Sequence, residues 1–189
     1  MRPSLDESYS EAMGAQSRGD YAQAIEIYEK LANEGHVYSL VMLGDIYTRG
    51  VGTEKDLAKA EELLDRAAAL GSPEAEFQKA NIWLERGEMS RYFCAIQKAA
   101  RMGVLVAQFR LGLCYIHGRG TTKDDAKALE LIRDAASRGH LGAKAHLARR
   151  LLTWPFNPIG FVYGLILLLV AFMQAIGIAA RDPHDDRLR

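Results

Sequence analysis

A near-identical stretch that occurs twice limits this chain to few folds. Residues 43–71 read LGDIYTRGVGTEKDLAKAEELLDRAAALG, and residues 111–139 read LGLCYIHGRGTTKDDAKALELIRDAASRG. Leu43/Leu111, Gly44/Gly112, Tyr47/Tyr115, Gly50/Gly118, Gly52/Gly120, Lys55/Lys123, Asp56/Asp124, Lys59/Lys127, Ala60/Ala128, Ala67/Ala135, Ala68/Ala136 and Gly71/Gly139 pair across a constant shift without a gap. Self-similarity at a fixed period marks a repeat architecture, in which one unit cannot bury its apolar face alone and stacking neighbours does so.

The spacing predicts two helices and a loop per copy. Leu43 and Tyr47 lie four apart and share a helix face. Gly44 sits beside them, and a glycine inside a helix costs about 1 kcal/mol against alanine. Close approach of a neighbouring helix is the expected reason. The glycines of Gly50-Val51-Gly52 supply a loop that needs positive φ. Asp56 and Asp124 are expected N-caps, since a carboxylate there accepts orphan backbone N–H groups. Ala60, Leu63, Leu64, Ala67 and Ala68 follow at helical spacing, and Gly71 and Gly139 are placed to end the helix.

The pattern LGxxYxxGxGxxKDxxKA followed by AAxxG resembles the Sel1-like repeat family, related to the tetratricopeptide repeats. The resemblance is close over 43–71 and 111–139 and loose over the other two units. Arg119 departs from it, where the family has Val, as do Leu64 and Ile132, where an aromatic is common. It implies an all-α, right-handed α-solenoid of helix-turn-helix repeats. It also implies an adaptor or scaffold role in which first helices line a concave, partner-binding face.

A shorter pair over 9–35, turning at Arg18-Gly19-Asp20, returns 68 residues later at Arg86-Gly87-Glu88. Four repeats are therefore expected, at about 5–38, 39–72, 73–106 and 107–140, with a capping helix at 141–152. Together they make a repeat domain over 5–152. Solenoids need such a cap because the last repeat has no neighbour.

Composition then changes abruptly. Thr153-Trp154-Pro155-Phe156-Asn157-Pro158 is a breaker linker. Residues 159–180, IGFVYGLILLLVAFMQAIGIAA, carry no charge. At 1.5 Å per residue that is about 33 Å, which predicts a transmembrane helix followed by a short polar tail over 181–189. Lys144, Arg149 and Arg150 precede the span, whereas three Arg meet three Asp in the tail. The positive-inside rule then places the repeats in the cytoplasm and the tail across the membrane. The start MRPSLDESYSEAMGAQ has no apolar core, so no secretory signal is expected there. The expected site is a membrane, with the bacterial inner membrane favoured by the repeat style. Gly160, Gly164, Ala171 and Ala175 form a stripe of small residues that lets membrane helices approach, with Gln174 read either as a hydrogen bonder across to a partner or as pointing to the bilayer edge. The alternative, weighed equally, is that Gly and Ala are simply common in such helices.

Charge and chemistry narrow the function. The chain has 24 basic and 24 acidic residues, and a neutral body lacks the clustered cations of a nucleic-acid footprint. Neither HExxH nor paired-ligand spacing occurs among His36, His117, His140, His146 and His184. His36 and His140 follow helix-ending glycines and are read as turn and packing residues. Cys94 and Cys114 do not correspond under the shift and are expected to be free. The Gly50–Gly52 loop lacks the phosphate-loop sequence.

The chain is therefore expected not to be an enzyme and to hold no catalytic, cofactor or metal site. Its expected partners are proteins, among them a membrane protein complex, and the lipid bilayer through 159–180, with a homodimer through that helix as a further expectation. The expected contact residues on first helices are Met42, Asp45, Arg49, Gln78, Arg110 and His117. Two alternatives stand beside the membrane-anchored adaptor. One is a permanent accessory subunit of a larger membrane complex. The other, implied only by secreted relatives of the family, is an enzyme acting on cell-wall precursors or β-lactams; no Ser-x-x-Lys is present to support it.

Overall fold

The computed structural model describes residues 4–152 and 158–179, with side chains up to 150 and over 161–177. Ten helices fill the described residues: α1 (Leu5–Ser17), α2 (Tyr21–Asn33), α3 (Val37–Arg49), α4 (Leu57–Ala69), α5 (Pro73–Glu85), α6 (Met89–Arg101), α7 (Leu105–His117), α8 (Asp125–Ser137), α9 (Leu141–Leu152) and α10 (Pro158–Ala179). They form two compact units, Met1–Ala95 and Ile96–Arg189.

In the first unit α1 packs on α2 and α3 on α4, and α5 continues against α3 and α4. Its core joins Tyr28, Leu40, Leu43, Ile46, Leu64 and Ile82 to a bed of small alanines, Ala12, Ala24, Ala60 and Ala75. Gly44 explains how α3 and α4 come so close. A Cβ there would stand 2.6 Å from both Cγ and Cδ2 of Leu64, so the expected close approach is real. The loop after α3 is fixed at both ends. Gly50 takes φ +67° to cap α3, and the Asp56 N–H donates to the Tyr47 carbonyl at 2.9 Å. Asp56 then caps α4 by accepting from Ala58 and Lys59 at 3.0 and 2.9 Å.

The second unit repeats this geometry. α7 packs on α8 and α8 on α9. The Asp124 N–H reaches the Tyr115 carbonyl at 3.0 Å, and the Asp124 carboxylate caps α8 through Lys127 N–H. Ile132, Ala135, Ala136 and Ala143 form the core, with Phe109, Leu113 and Leu147 against it.

At the end of this unit the structure differs from the sequence expectation. The 159–180 segment is a helix, α10, but it turns back and packs along α9. Lys144 Nζ donates to Gln174 Oε1 at 2.8 Å, tying the first turn of α9 to the far part of α10. Among the described residues no helix is long and apolar enough to cross a membrane. Gly164 and Ala171 are buried and Ala175 half-buried, so the small-residue stripe faces a helix of its own chain. Most other described side chains of α10 are apolar and exposed, Leu169 at 62% and Phe172 at 63%. The linker 153–157 with Trp154, the tail 181–189 with His184, and the Gly160 position of the stripe lie outside the residues or side chains described.

Candidate partner-binding surface

The first-helix residues singled out by sequence fall into two groups, one in each unit. On α3, Met42, Asp45 and Arg49 are spaced three and four apart, which puts them on one face. Arg49 pairs with Asp45 at 3.0 Å, and both stay accessible. Met42 is half-buried and leans on the core. Gln78, on α5, is also half-buried, and its Oε1 is enclosed without a hydrogen-bond donor among the described residues. In the second unit Arg110 and His117 lie seven apart on α7, again one face; Arg110 is half-buried and His117 exposed. An exposed ion pair of this kind is worth under about 1 kcal/mol to the fold, so Asp45 and Arg49 are free to serve recognition.

A polar cluster joining α2, α3 and α4 is one that sequence reasoning did not single out as a site. Lys59 Nζ donates to Tyr47 Oη at 2.5 Å and to Glu29 Oε1 at 3.2 Å, while Tyr47 Oη donates to the same Glu29 oxygen at 3.2 Å. The hydrogen bond to Tyr47 raises the Lys59 pKa above its ordinary value; burial opposes this and Glu29 adds to it. The ammonium also stands 4.1 Å from the Tyr47 ring centroid. Beside it, Glu29, Asn33, Lys59, Glu62 and Arg66 border an open groove of about 230 Å³ between α2 and α4. Arg66 is already engaged with the Ala32 carbonyl at 2.8 Å. The mixture of two acids and two bases gives the groove no dominant charge. The signal in the sequence was the invariance of Tyr47 and Lys59; Glu29, outside the motif, had none.

His36 and His140 are helix caps. His36 Nδ1 accepts from Ser39 N–H at 3.3 Å, and His140 Nδ1 accepts from Ala143 N–H at 3.0 Å. His140 is fully buried, and its Nε2 has no partner among the described residues. Burial pushes its pKa below the ordinary value. Phe109 lies 4.8 Å from the His140 ring and 6.2 Å from that of His146. Two histidines six residues apart thus flank one aromatic ring, because His140 sits before α9 rather than on it. Tyr9, His36 and the exposed Tyr38 form a surface aromatic group, with ring centroids 5.0 to 6.1 Å apart. Cys94 is exposed and Cys114 buried, and neither is bridged. Among the described residues no group of three potential ligands could hold a metal ion.

The model of the Sel1 repeat matches three segments, residues 9–36, 37–72 and 105–140, which together cover more than half of the chain. The chain belongs to the Sel1 repeat family. As a Sel1 repeat protein it is 32% identical over 107 residues to chitin synthase regulatory factor 3 of Schizosaccharomyces pombe, a match covering 51% of this chain and 11% of that one. The chain spans about a tenth of the length of the curated relatives it matches. Among solved structures, a Sel1 repeat protein from Oxalobacter formigenes aligns with a TM-score of 0.73 at 19% identity, over 100% of this chain and 87% of the other. A protective antigen of uropathogenic Escherichia coli strains, described as having an SLR fold, aligns at 0.71 and 20% identity, over 90% and 42%. These likenesses show the fold, an all-α helical repeat solenoid. Sel1 repeat proteins are generally protein–protein interaction scaffolds rather than enzymes.

Proposed function

We propose that this Sel1 repeat protein is a binding scaffold that docks a partner protein on its first-helix faces, with Met42, Asp45 and Arg49 of α3 among the contacts, and that α10 holds it at a membrane. The observation that carries the docking reading is the α3 face, where an accessible ion pair stands beside a half-buried methionine. Apolar anchors within a polar rim are the usual anatomy of a protein interface. The membrane reading is supported by α10, an uncharged helix whose exposed side chains are mostly apolar. Single-pass insertion, with the repeats in the cytoplasm, is one form of this anchoring, and it requires α10 to part from α9.

The test is purification of the full chain in mild detergent beside an Arg49→Glu variant. A stoichiometric partner should be retained by the parent and lost from the variant, with equal melting temperatures. Absence of any stoichiometric partner from the parent rejects the docking reading.

A further inference from the structure

The α9–α10 pair joins two surfaces of opposite chemistry. Outward from α9, α10 exposes Phe161, Leu165, Ile166, Leu169, Phe172 and Met173. Along the other helix, α9 has no acidic residue and carries Lys144, Arg149 and Arg150, the two arginines exposed in its last turn. Lys144 reaches Gln174, itself exposed on α10 next to Met173, so at least one cation sits at the border of the apolar face. As long as the pair stays docked, α10 cannot cross a bilayer without drawing Lys144, held level with Gln174, into the hydrocarbon, where a cation is costly.

We propose that the docked α9–α10 hairpin lies in the plane of an anionic phospholipid surface, the outward face of α10 entering the boundary between headgroups and acyl chains and Lys144, Arg149 and Arg150 meeting the anionic headgroups. An interfacial helix needs an apolar face and a cationic polar one. Here two helices divide the parts, α10 supplying the apolar face and α9 the cations. This rests on the reading that α10 works at a membrane and names the mode and the lipid.

The test uses the full chain with Cys94→Ser and Cys114→Ser, and vesicles of neutral or partly anionic phospholipid. Single Phe161→Cys or Ile176→Cys sites carry an environment-sensitive dye. In-plane seating puts both dyes in an apolar setting yet within reach of an impermeant quencher added outside. Anionic lipid should strengthen binding. At roughly fivefold per cation near the surface, Lys144→Gln with Arg149→Gln and Arg150→Gln should lower binding to anionic vesicles about a hundredfold. Arg149→Gln with Arg150→Gln alone, which leaves the Lys144–Gln174 bond intact, should lower it about 25-fold. Leu169→Glu, with helicity retained, should abolish binding. Protection of one dye from the outside quencher, with equal binding to both vesicle types, indicates spanning and overturns the in-plane mode alone. Failure to bind any vesicle overturns the membrane reading itself, as does self-association through α10 without lipid binding.

Discussion

The two long-loop repeats close their loops with the same bond, Asp56 to Tyr47 in the first unit and Asp124 to Tyr115 in the second. Both then set a glycine of the first helix against a branched residue of the second. They part in the surroundings of that frame. In the first unit Lys59 is held by Tyr47 and Glu29. In the second the residue matching Glu29 is Gln97, and Lys127 turns to Asp124 at 3.2 Å, its ammonium 5.6 Å from the Tyr115 ring centroid. The helix that follows each copy is capped by Ser72 in the first unit and by buried His140 in the second. What the copies share is backbone geometry and helix contact; what they do not share is polar chemistry, which each unit composes from its own neighbours.

The sharpest way to break the shared part is to fill the helix contact. Alanine in place of glycine gains about 1 kcal/mol of helix propensity, while overpacking costs roughly 1–3 kcal/mol. A Cβ at Gly112 would meet Ile132 Cγ1 at 2.7 Å and the Ala128 carbonyl at 3.2 Å. The first contact is close to a β-branched stem and the second is backbone, so neither yields easily. At Gly44 the obstacle is the Leu64 side chain alone, which has more rotamer freedom. Gly112→Ala should therefore destabilise by about 2 kcal/mol and Gly44→Ala by about 1 kcal/mol, read as urea midpoints. Pairing Gly112→Ala with Ile132→Val should leave most of the cost in place, because Cγ1 or its equivalent remains. Equal costs in the two units would show that the contacts are not limiting.

The next largest effect comes from the caps. His140 is buried and its folded pKa lies below the ordinary value of 6.5. The unfolded chain therefore binds the proton first as pH falls. Stability from this group is full above about pH 6.5 and is lost as pH drops through that value toward the folded pKa, at about 1.4 kcal/mol per unit of difference. His146 titrates in the same direction, its pKa lowered by burial and by Arg149, Arg150 and His117, so it forms the background. Ser72 fills the equivalent place in the first unit and caps with its hydroxyl. His140→Ser should keep a cap while flattening the acid slope between about pH 7 and 5, measured by thermal melts across that range. An unchanged slope would move the effect to His146.

The repeat periodicity, Gly44, the loop glycines and the Asp56 and Asp124 caps were all legible from sequence, because each is a backbone demand met by one residue type. The docking of α10 on α9 was not. A run of apolar residues has the same signature whether lipid covers it on every side or a neighbouring helix covers one face, and the Lys144–Gln174 bond with the buried Gly164 and Ala171 marks the face that α9 covers. The histidine caps were invisible for a different reason: Nδ1 as an acceptor has no compositional signature. Of the expected contact residues, the α3 trio and the α7 pair each share a face because helical spacing guarantees it. The burial of the Gln78 oxygen depends on packing that no periodicity encodes.

The smallest expected effect tests the polar difference directly. Glu29 and Lys59 are both about half exposed, so Glu29→Gln should cost no more than about 0.5 kcal/mol. It should nevertheless lower the Lys59 pKa, since Glu29 contributes to raising it, while the larger contribution from Tyr47 stays. The reciprocal change, Gln97→Glu, offers Lys127 a second carboxylate in competition with Asp124. Asp124 owes its lowered pKa first to the Lys127 backbone N–H and only afterwards to the Lys127 side chain. Diverting the ammonium should therefore raise the Asp124 pKa only slightly and leave the α8 cap in place, as followed by NMR titration of the carboxylates. A large rise in the Asp124 pKa would mean that the ammonium, not the helix N-terminus, holds that charge, and that the two repeats differ in how they cap as well as in what surrounds the cap.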